Sequence, residues 1–174
     1  MSPGVEGYEV RPAGPDELET LPELERAAAR AFAPWGLDAL FASATTPIET
    51  FRDAQARGHL LVAVHGHAPV GFAMISRVDW HAHLDELDVH PDHARRGVGR
   101  ALVDAAMELA RAEGRTRMTL ATMRAIPFNG PWYQRLGFRE LAEDELGAGL
   151  RTILRGELAG GYPRVDRVIL GRDL

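Results

Sequence analysis

The stretch LDVHPDHARRGVGRALV at residues 87–103 decides the fold. It opens with alternating apolar and polar residues and reaches His90-Pro91, a pattern typical of the end of a β-strand. The turn RRGVGR at residues 95–100 follows, and apolar residues at helical spacing then predict a helix over residues 100–112. Glycines just before a helix let backbone N–H groups converge on an anion, while the helix dipole and three arginines add positive potential. The stretch therefore predicts a diphosphate site between a strand and a helix.

A tight strand-to-helix turn with surface arginines is the alternative interpretation of this segment. Two other phosphate-binding motifs are excluded. A Walker motif requires Lys and then Ser or Thr after its last glycine, whereas Arg100 and Ala101 follow Gly99 here. A dinucleotide-binding fold requires a third glycine and then an acidic residue about 20 residues after the loop, and the chain has Leu102 and Thr119 at those positions.

Patterns on both sides of the turn predict alternating strands and helices. Strands are predicted at residues 8–11, 60–64, 70–75, 84–89, 118–123, from 137 onward and at 167–170, with helices from residue 15, around residues 37–41, near residue 51 and at 131–136. The glycine-containing residues 147–149 and 156–163 are interpreted as loops. This order predicts an α/β (α+β) fold, a single domain over residues 1–174 with a mixed sheet of six or seven strands flanked by helices.

Composition excludes several functional classes. The 174 residues include no cysteine, which excludes disulfide frameworks, thiolate zinc sites and a cysteine nucleophile. All 20 basic residues are arginine, which excludes a P-loop or Schiff-base lysine. The net charge of −5 argues against a nucleic-acid partner. The chain shows no targeting signal and no long apolar run, so we expect no membrane span and a cytoplasmic location.

Two carboxylates project from one face of the strand that precedes the turn. Glu86 and Asp88 face away from Leu87, although a strand covered on both faces is normally apolar throughout. This predicts a water-lined cleft in which either acid takes a proton from an incoming ammonium; solvated or arginine-paired acids are the alternative. His83 is a further candidate base. His81 and His83 lack a third ligand at a suitable spacing, so we expect no metal site.

A second motif, PFNGPWYQRLGF at residues 127–138, predicts a short helix. Asn129 suits its N-cap and Pro131 its first turn, and Tyr133 lies on the same face as Asn129. From the residues alone, a core tyrosine with a satisfied hydroxyl is favoured. Core packing is also the first expectation for the three tryptophans, Trp35, Trp80 and Trp132. The alternative is that they line an acceptor pocket.

Residues 87–103 resemble the acetyl-CoA loop of the GNAT superfamily of N-acetyltransferases. The family pattern is Gln/Arg-x-x-Gly-x-Gly/Ala after a strand that ends in a β-bulge. Gly97 and Gly99 match, whereas Ala94 stands where Gln or Arg is usual, a departure that leaves the backbone amides of the loop in place. Residues 127–138 are similar to the family block Asn-x-x-Ala-x-x-Tyr-x-x-x-Gly-Phe, in the form of a subset with a shorter Asn-to-Tyr spacing. The resemblance covers about residues 60–140.

The resemblance implies a GNAT domain that transfers an acetyl group from acetyl-CoA to a primary amine of a small molecule or peptide. The amine attacks the thioester directly in a ternary complex, with Glu86 as the first choice of general base. Tyr133 is the general acid that protonates the leaving thiolate, and no metal is needed. The implied acetyl-CoA-binding residues are Leu87, Asp88, Val89, Arg95, Arg96, Gly97, Val98, Gly99, Arg100, Asn129, Trp132 and Tyr133.

A non-catalytic acyl-CoA-binding sensor of the same fold is the alternative function. Ala94 weakly favours the sensor, and Glu86 and Tyr133 favour the enzyme. The acceptor, the acyl chain length and the oligomeric state stay open, a homodimer included. The choice of base among Glu86, Asp88 and His83 stays open as well.

Overall fold

The computed structural model describes residues 5–159 and 167–174, and this part forms six α-helices and seven β-strands. The helices are α1 (Leu21–Ala29), α2 (Asp38–Ser43), α3 (Ile48–Ala56), α4 (Val98–Ala112), α5 (Gly130–Arg135) and α6 (Ala148–Ala159). The strands are β1 (Glu9–Pro12), β2 (Leu60–His65), β3 (Ala68–Val78), β4 (His81–Val89), β5 (Arg117–Met123), β6 (Arg139–Glu140) and β7 (Arg167–Asp173).

The seven strands form one sheet in the order β1-β2-β3-β4-β5-β7-β6. β4 and β5 are parallel, with Ala82 opposite Met118. The pairs β1–β2, β2–β3, β5–β7 and β6–β7 are antiparallel. The predicted α/β class and the mixed sheet of six or seven strands are therefore confirmed.

By its internal contacts the chain divides into two compact units. The first unit, Met1–Ile75 with Glu86–Ala106, contains α1, α3 and β2. In β2, residues 60–64 are all buried and apolar, as expected for a strand covered on both faces. Its core combines β2 with the apolar faces of α1 and α3: Ala13, Leu18, Leu21, Leu24, Phe51, Ala54, Leu60, Val62, Val64, Phe72 and Met74.

The second unit, Ser76–Asp85 with Met107–Leu174, contains β5, β7, α5 and α6. Its core includes a cluster of Leu141, Leu146, Leu150 and Ile169. The predicted loop at residues 147–149 is wrong, because α6 begins at Ala148 and extends through Gly156. The predicted loop at 156–163 is also wrong as far as residue 159, and residues 160–163 lie outside the described residues.

Two further expectations concern tryptophans and membranes. Trp80 is 82% exposed and Trp35 is 41% exposed, so core packing is wrong for both. Trp80 lies in the two-residue turn between β3 and β4, where its side chain faces outward. Among the described residues, no helix combines the length and apolar character needed to cross a membrane.

Candidate active site

The loop between β4 and α4 has the backbone shape of an anion site. The backbone N–H of His90 donates to Val70 O at 2.8 Å, which holds the start of the loop on β3. Arg95 and Gly97 both have left-handed backbone conformations, with φ of 58° and 87°. Left-handed residues turn the chain so that successive N–H groups line a concavity. The buried Val98 then begins α4, a 15-residue helix whose positive N-terminal end faces this loop.

The charges of the loop suit a phosphate group. Arg95 and Arg96 are exposed, and neither makes a hydrogen bond or ion pair with any residue in the described part of the chain. Within the described ranges, the ion pair of Arg100 is a long one, 3.6 Å from its Nε to Asp104 Oδ2. Because arginine binds phosphate bidentately and stays charged, two guanidinium groups remain available to an anion on this loop.

The end of β4 is held unusually close to β3. A Cβ on Gly71 would lie 2.9 Å from Asp88 O and 3.2 Å from Val89 Cγ2, so only glycine allows this approach without a shift. Leu87 and Val89 are partly exposed, and so is Asp88 as a whole residue, although its carboxyl group is buried. Three of the residues that the family resemblance implies for acetyl-CoA binding therefore lie at a strand end whose position depends on Gly71.

Three carboxylates meet beside this strand end. One carboxylate oxygen from each of Glu25, Glu86 and Asp88 lies within 4.8 Å of the other two. Glu25 comes from α1 and is only 7% exposed. Its carboxylate accepts hydrogen bonds from the backbone N–H of Thr46 at 2.9 Å and from its hydroxyl at 2.6 Å. The cluster can hold a cation, and an ammonium group is one that fits the proposed chemistry.

The cluster changes the acidity of its members. Burial raises the pKa of Asp88 well above its ordinary value, and the nearby Glu86 and Glu25 carboxylates raise it further. Burial also raises the pKa of Glu25, against the two hydrogen bonds from Thr46. A raised pKa makes the deprotonated carboxylate a stronger base, and general-base catalysis uses that deprotonated form.

Glu25 is the site residue that sequence reasoning missed. It lies four residues after Leu21 and three before Ala28, which places an acid on the apolar face of α1. The available signal was an acid at a position of the helix that faces the core. Acids in such positions occur mainly where they are paired or functional.

The second motif folds as the short helix α5. Tyr133 is 8% exposed, and its ring packs against Trp132 at 4.8 Å and Phe138 at 5.6 Å between centroids. Asn129 is at the N-cap position, but its side chain makes no capping hydrogen bond, contrary to expectation. Its backbone oxygen instead accepts from the Tyr133 N–H at 3.0 Å. A Cβ on Gly130 would lie 2.6 Å from Arg124 O, so the first turn of α5 requires glycine there.

His83 is poorly suited to be the base. The side chain is 3% exposed and its Nδ1 lies 2.8 Å from Thr119 Oγ1. Burial lowers the pKa of the ring to about 4. A base with that pKa is weak at neutral pH, so Glu86 and Asp88 are the stronger candidates.

Known structures of acetyltransferases share this fold. N-acetylglutamate synthase from Neisseria gonorrhoeae, complexed with coenzyme A and N-acetyl-glutamate, aligns over 96% of the chain with a TM-score of 0.71 and 20% identity; the chain covers 35% of that protein. PaiA N-acetyltransferase from Thermoplasma acidophilum, in complex with coenzyme A, aligns with a TM-score of 0.68 and 17% identity, covering 96% of this chain and 99% of that one.

The ribosomal-protein-S18-alanine N-acetyltransferase from Escherichia coli aligns with a TM-score of 0.66 and 18% identity, covering 95% of this chain and 93% of that one. These likenesses concern the fold. The match in sequence is to the family model described as Acetyltransferase (GNAT) family, over residues 21–138, and it includes both the loop and the Tyr133 motif. The chain therefore belongs to the GNAT family of acetyltransferases, as its resemblance to that family predicted.

Proposed function

We propose that this protein is an acetyl-CoA-dependent N-acetyltransferase that moves the acetyl group to a primary amine by direct attack. The observation that carries the proposal is the loop of residues 95–100, with two left-handed residues, two arginines that have no ion-pair partner among the described residues, and the start of α4. Support comes from family membership and from related folds that were solved with coenzyme A.

In this proposal the loop binds the cosubstrate through its diphosphate. Backbone amides and the Arg95 and Arg96 guanidinium groups hold the negative charge, and the helix dipole of α4 adds to the attraction. The strand end at residues 87–89 binds the pantetheine, and its amides stabilise the oxyanion that forms when the amine attacks.

The carboxylates accept the proton of the amine. An ammonium approaching Glu86 and Asp88 is attracted by their charge, and loss of its proton exposes the nitrogen lone pair that attacks the thioester carbon. Because the two acids interact, their pH dependence belongs to the pair rather than to either residue. Glu86 remains the first choice of base in this proposal. Asp88 is its partner, because the Glu86 carboxylate helps to raise the pKa of Asp88.

Collapse of the tetrahedral intermediate breaks the C–S bond and releases the CoA thiolate. Tyr133 is proposed to protonate this thiolate, on the strength of its position in the family motif. The acceptor is a small-molecule or peptide amine, and the net negative charge favours a cationic one. The cytoplasmic location and a single domain over residues 1–174 stay predictions of the sequence.

The first test measures free thiol released from acetyl-CoA against a panel of amines. Turnover with any amine supports the proposal. Binding of acetyl-CoA without turnover across a broad panel would favour the non-catalytic sensor, and absence of binding would refute both functions.

The second test is Gly99→Glu, which adds bulk and a like charge where the diphosphate binds. We expect calorimetry to show loss of acetyl-CoA binding in a folded protein. Gly156→Glu is the matched control, because it adds the same group to α6, where no atom of the described residues lies within 4 Å of the new Cβ. Near-wild-type affinity in folded Gly99→Glu would refute the loop assignment.

The third test separates the two proton transfers. Tyr133→Phe keeps the packing and deletes the hydroxyl, so we expect kcat to fall about 10²-fold with little change in acetyl-CoA affinity. Glu86→Gln should slow turnover mainly at neutral pH and recover in part at high pH, where more of the amine is already free base. Full kcat in Tyr133→Phe at every pH would show that the hydroxyl is structural.

A further inference from the structure

We propose that residues 5–8 form an N-terminal strap that holds the acyl-CoA loop in its binding conformation through Val5 and Tyr8. The loop at residues 90–97 contains two residues with left-handed backbone conformations, Arg95 and Gly97, and a contact from outside the loop can hold that shape. The functional meaning of the strap rests on the proposed acetyl-CoA site, whereas its effect on loop order can be measured without any ligand.

The strap is itself firmly anchored. It continues into β1, where Glu9 is paired with Val64 of β2. The Tyr8 N–H donates to Val5 O at 2.9 Å, which closes a turn around Gly7. Nδ1 of His65 donates to Gly7 O at 2.8 Å, since a carbonyl can only accept. These contacts fix the strap on the first unit before it reaches the loop.

Two contacts join the strap to the loop. Val5 packs against Gly97, whose backbone is left-handed. A Cβ placed on Gly97 would lie 3.3 Å from Val5 Cγ2. The Tyr8 hydroxyl and Nδ1 of His93 form a hydrogen bond of 2.9 Å between residues 85 positions apart. The strap therefore touches the loop both at its first turn and at the glycine of the anion site.

Edge-to-face and tilted ring contacts accompany the hydrogen bond. The centroid of the Tyr8 ring lies 5.0 Å from that of His65 and 5.6 Å from that of His93, and the two histidine rings are 5.2 Å apart. Such separations are within the range of favourable aromatic contacts. Tyr8 thus links β2 to the loop, and its hydroxyl is the group whose removal breaks the link without removing the ring.

The groups around His93 make this link sensitive to acid. Burial lowers the pKa of His93, and the neighbouring His65, Arg96 and His90 lower it further, while Asp92 opposes them. The Tyr8 hydroxyl is the other polar group in contact with the His93 ring. Because the strapped arrangement favours the neutral ring, its full strength is present above the ordinary pKa of 6.5 and is lost as the pH falls below it.

The experiment compares wild type, Tyr8→Phe and the control His67→Gln by hydrogen exchange of unliganded protein and by CoA titration. The N–H groups of His90, His93 and Ala94 are hydrogen-bonded and report loop order. In Tyr8→Phe we expect faster exchange across residues 90–97 and a CoA Kd raised about two- to tenfold, the range of a single net hydrogen bond. His67 is exposed on the β2–β3 turn, and its variant should match wild type.

The outcomes separate the strap from the proposed function. Exchange in Tyr8→Phe equal to wild type would overturn the strap, whatever CoA does. Faster exchange with an unchanged Kd would overturn the positioning role. Failure of wild type to bind CoA would refute the proposed function, and exchange would then decide the strap alone. In wild type, protection corrected for intrinsic exchange should fall as the pH drops below 6.5; protection that does not change with pH would count against the link through His93.

Discussion

Gly71→Ala tests whether the position of the β4 strand end controls acetyl-CoA binding. The new Cβ would lie 2.9 Å from Asp88 O, 3.2 Å from Leu102 Cδ1 and 3.2 Å from Val89 Cγ2. The leucine and valine side chains can adjust by small rotations, but the Asp88 oxygen belongs to the backbone. Restoring an ordinary contact requires the strand end to move by roughly 0.5 Å.

The magnitude follows from two opposing effects. Overpacking of this kind costs about 1–3 kcal/mol, whereas replacing glycine in a strand returns about 0.5–1 kcal/mol of backbone entropy. We expect a net loss of about 0.5–2 kcal/mol, which corresponds to a fall in Tm of about 1–8 °C for a chain of this length. Since a 1 Å misplacement can cost about 10²-fold in rate, a half-ångström shift should lower kcat/KM about tenfold.

The assay combines thermal melting, CoA calorimetry and thiol release with the acceptor found in the panel. Gly156→Ala is the control, because position 156 lies inside α6 and the new Cβ has no neighbour within 4 Å in the part of the chain that the structure describes. That variant should be more stable by about 0.5–1 kcal/mol, with unchanged kinetics. If Gly71→Ala keeps the wild-type Tm, CoA affinity and kcat/KM, the close approach does not position the strand end, and the reasoning is wrong.

Three further predictions concern charge. The pKa of Asp88 is raised in the folded protein, so its contribution to stability is greatest at low pH and declines as the pH rises above 3.8. Asp88→Asn should therefore raise Tm at pH 7.5, and this gain should shrink on acidification. The exposed control Asp53→Asn should not raise Tm. The pKa of His83 is lowered to about 4, so roughly 3 kcal/mol of stability should be lost as the pH falls from 6.5 towards 4, and urea titrations of His83→Asn should lack that slope. The chain has no lysine, so intact mass after incubation with acetyl-CoA should show at most N-terminal modification or labile esters; a stable gain on an internal peptide would contradict direct attack.

Local sequence patterns were sufficient for the elements around the loop. Apolar runs and turn residues predicted β2, β3 and β5, and the glycines before a helical pattern predicted α4, because in each case neighbouring residues dictate the backbone. The strand β4 begins at His81 rather than at residue 84, since pairing with β5 extends it.

The helix α6 shows where local patterns were insufficient. Its glycines, at positions 149 and 156, favour a loop, and sequence reasoning interpreted them so. The structure supplies an N-terminal cap from 70 residues away: the Asp79 carboxylate accepts from the N–H groups of Gly149 at 2.9 Å and Leu150 at 3.2 Å. Leu150 is fully buried. Such a distant cap and the packing behind it outweigh the low helix propensity of glycine.

The sequence by itself determined the family, the glycine-containing turn before α4 and the two acids on β4, because each is written in contiguous residues. Only the tertiary structure decided that Glu25 joins Glu86 and Asp88, and that Tyr8 joins His93. These groups come from segments 60 or more residues apart along the chain, and no local periodicity records which of them meet. Their proximity, and the pKa shifts that follow from burial and from neighbouring charges, arise from the packing of α1, β1 and β2 in the first unit.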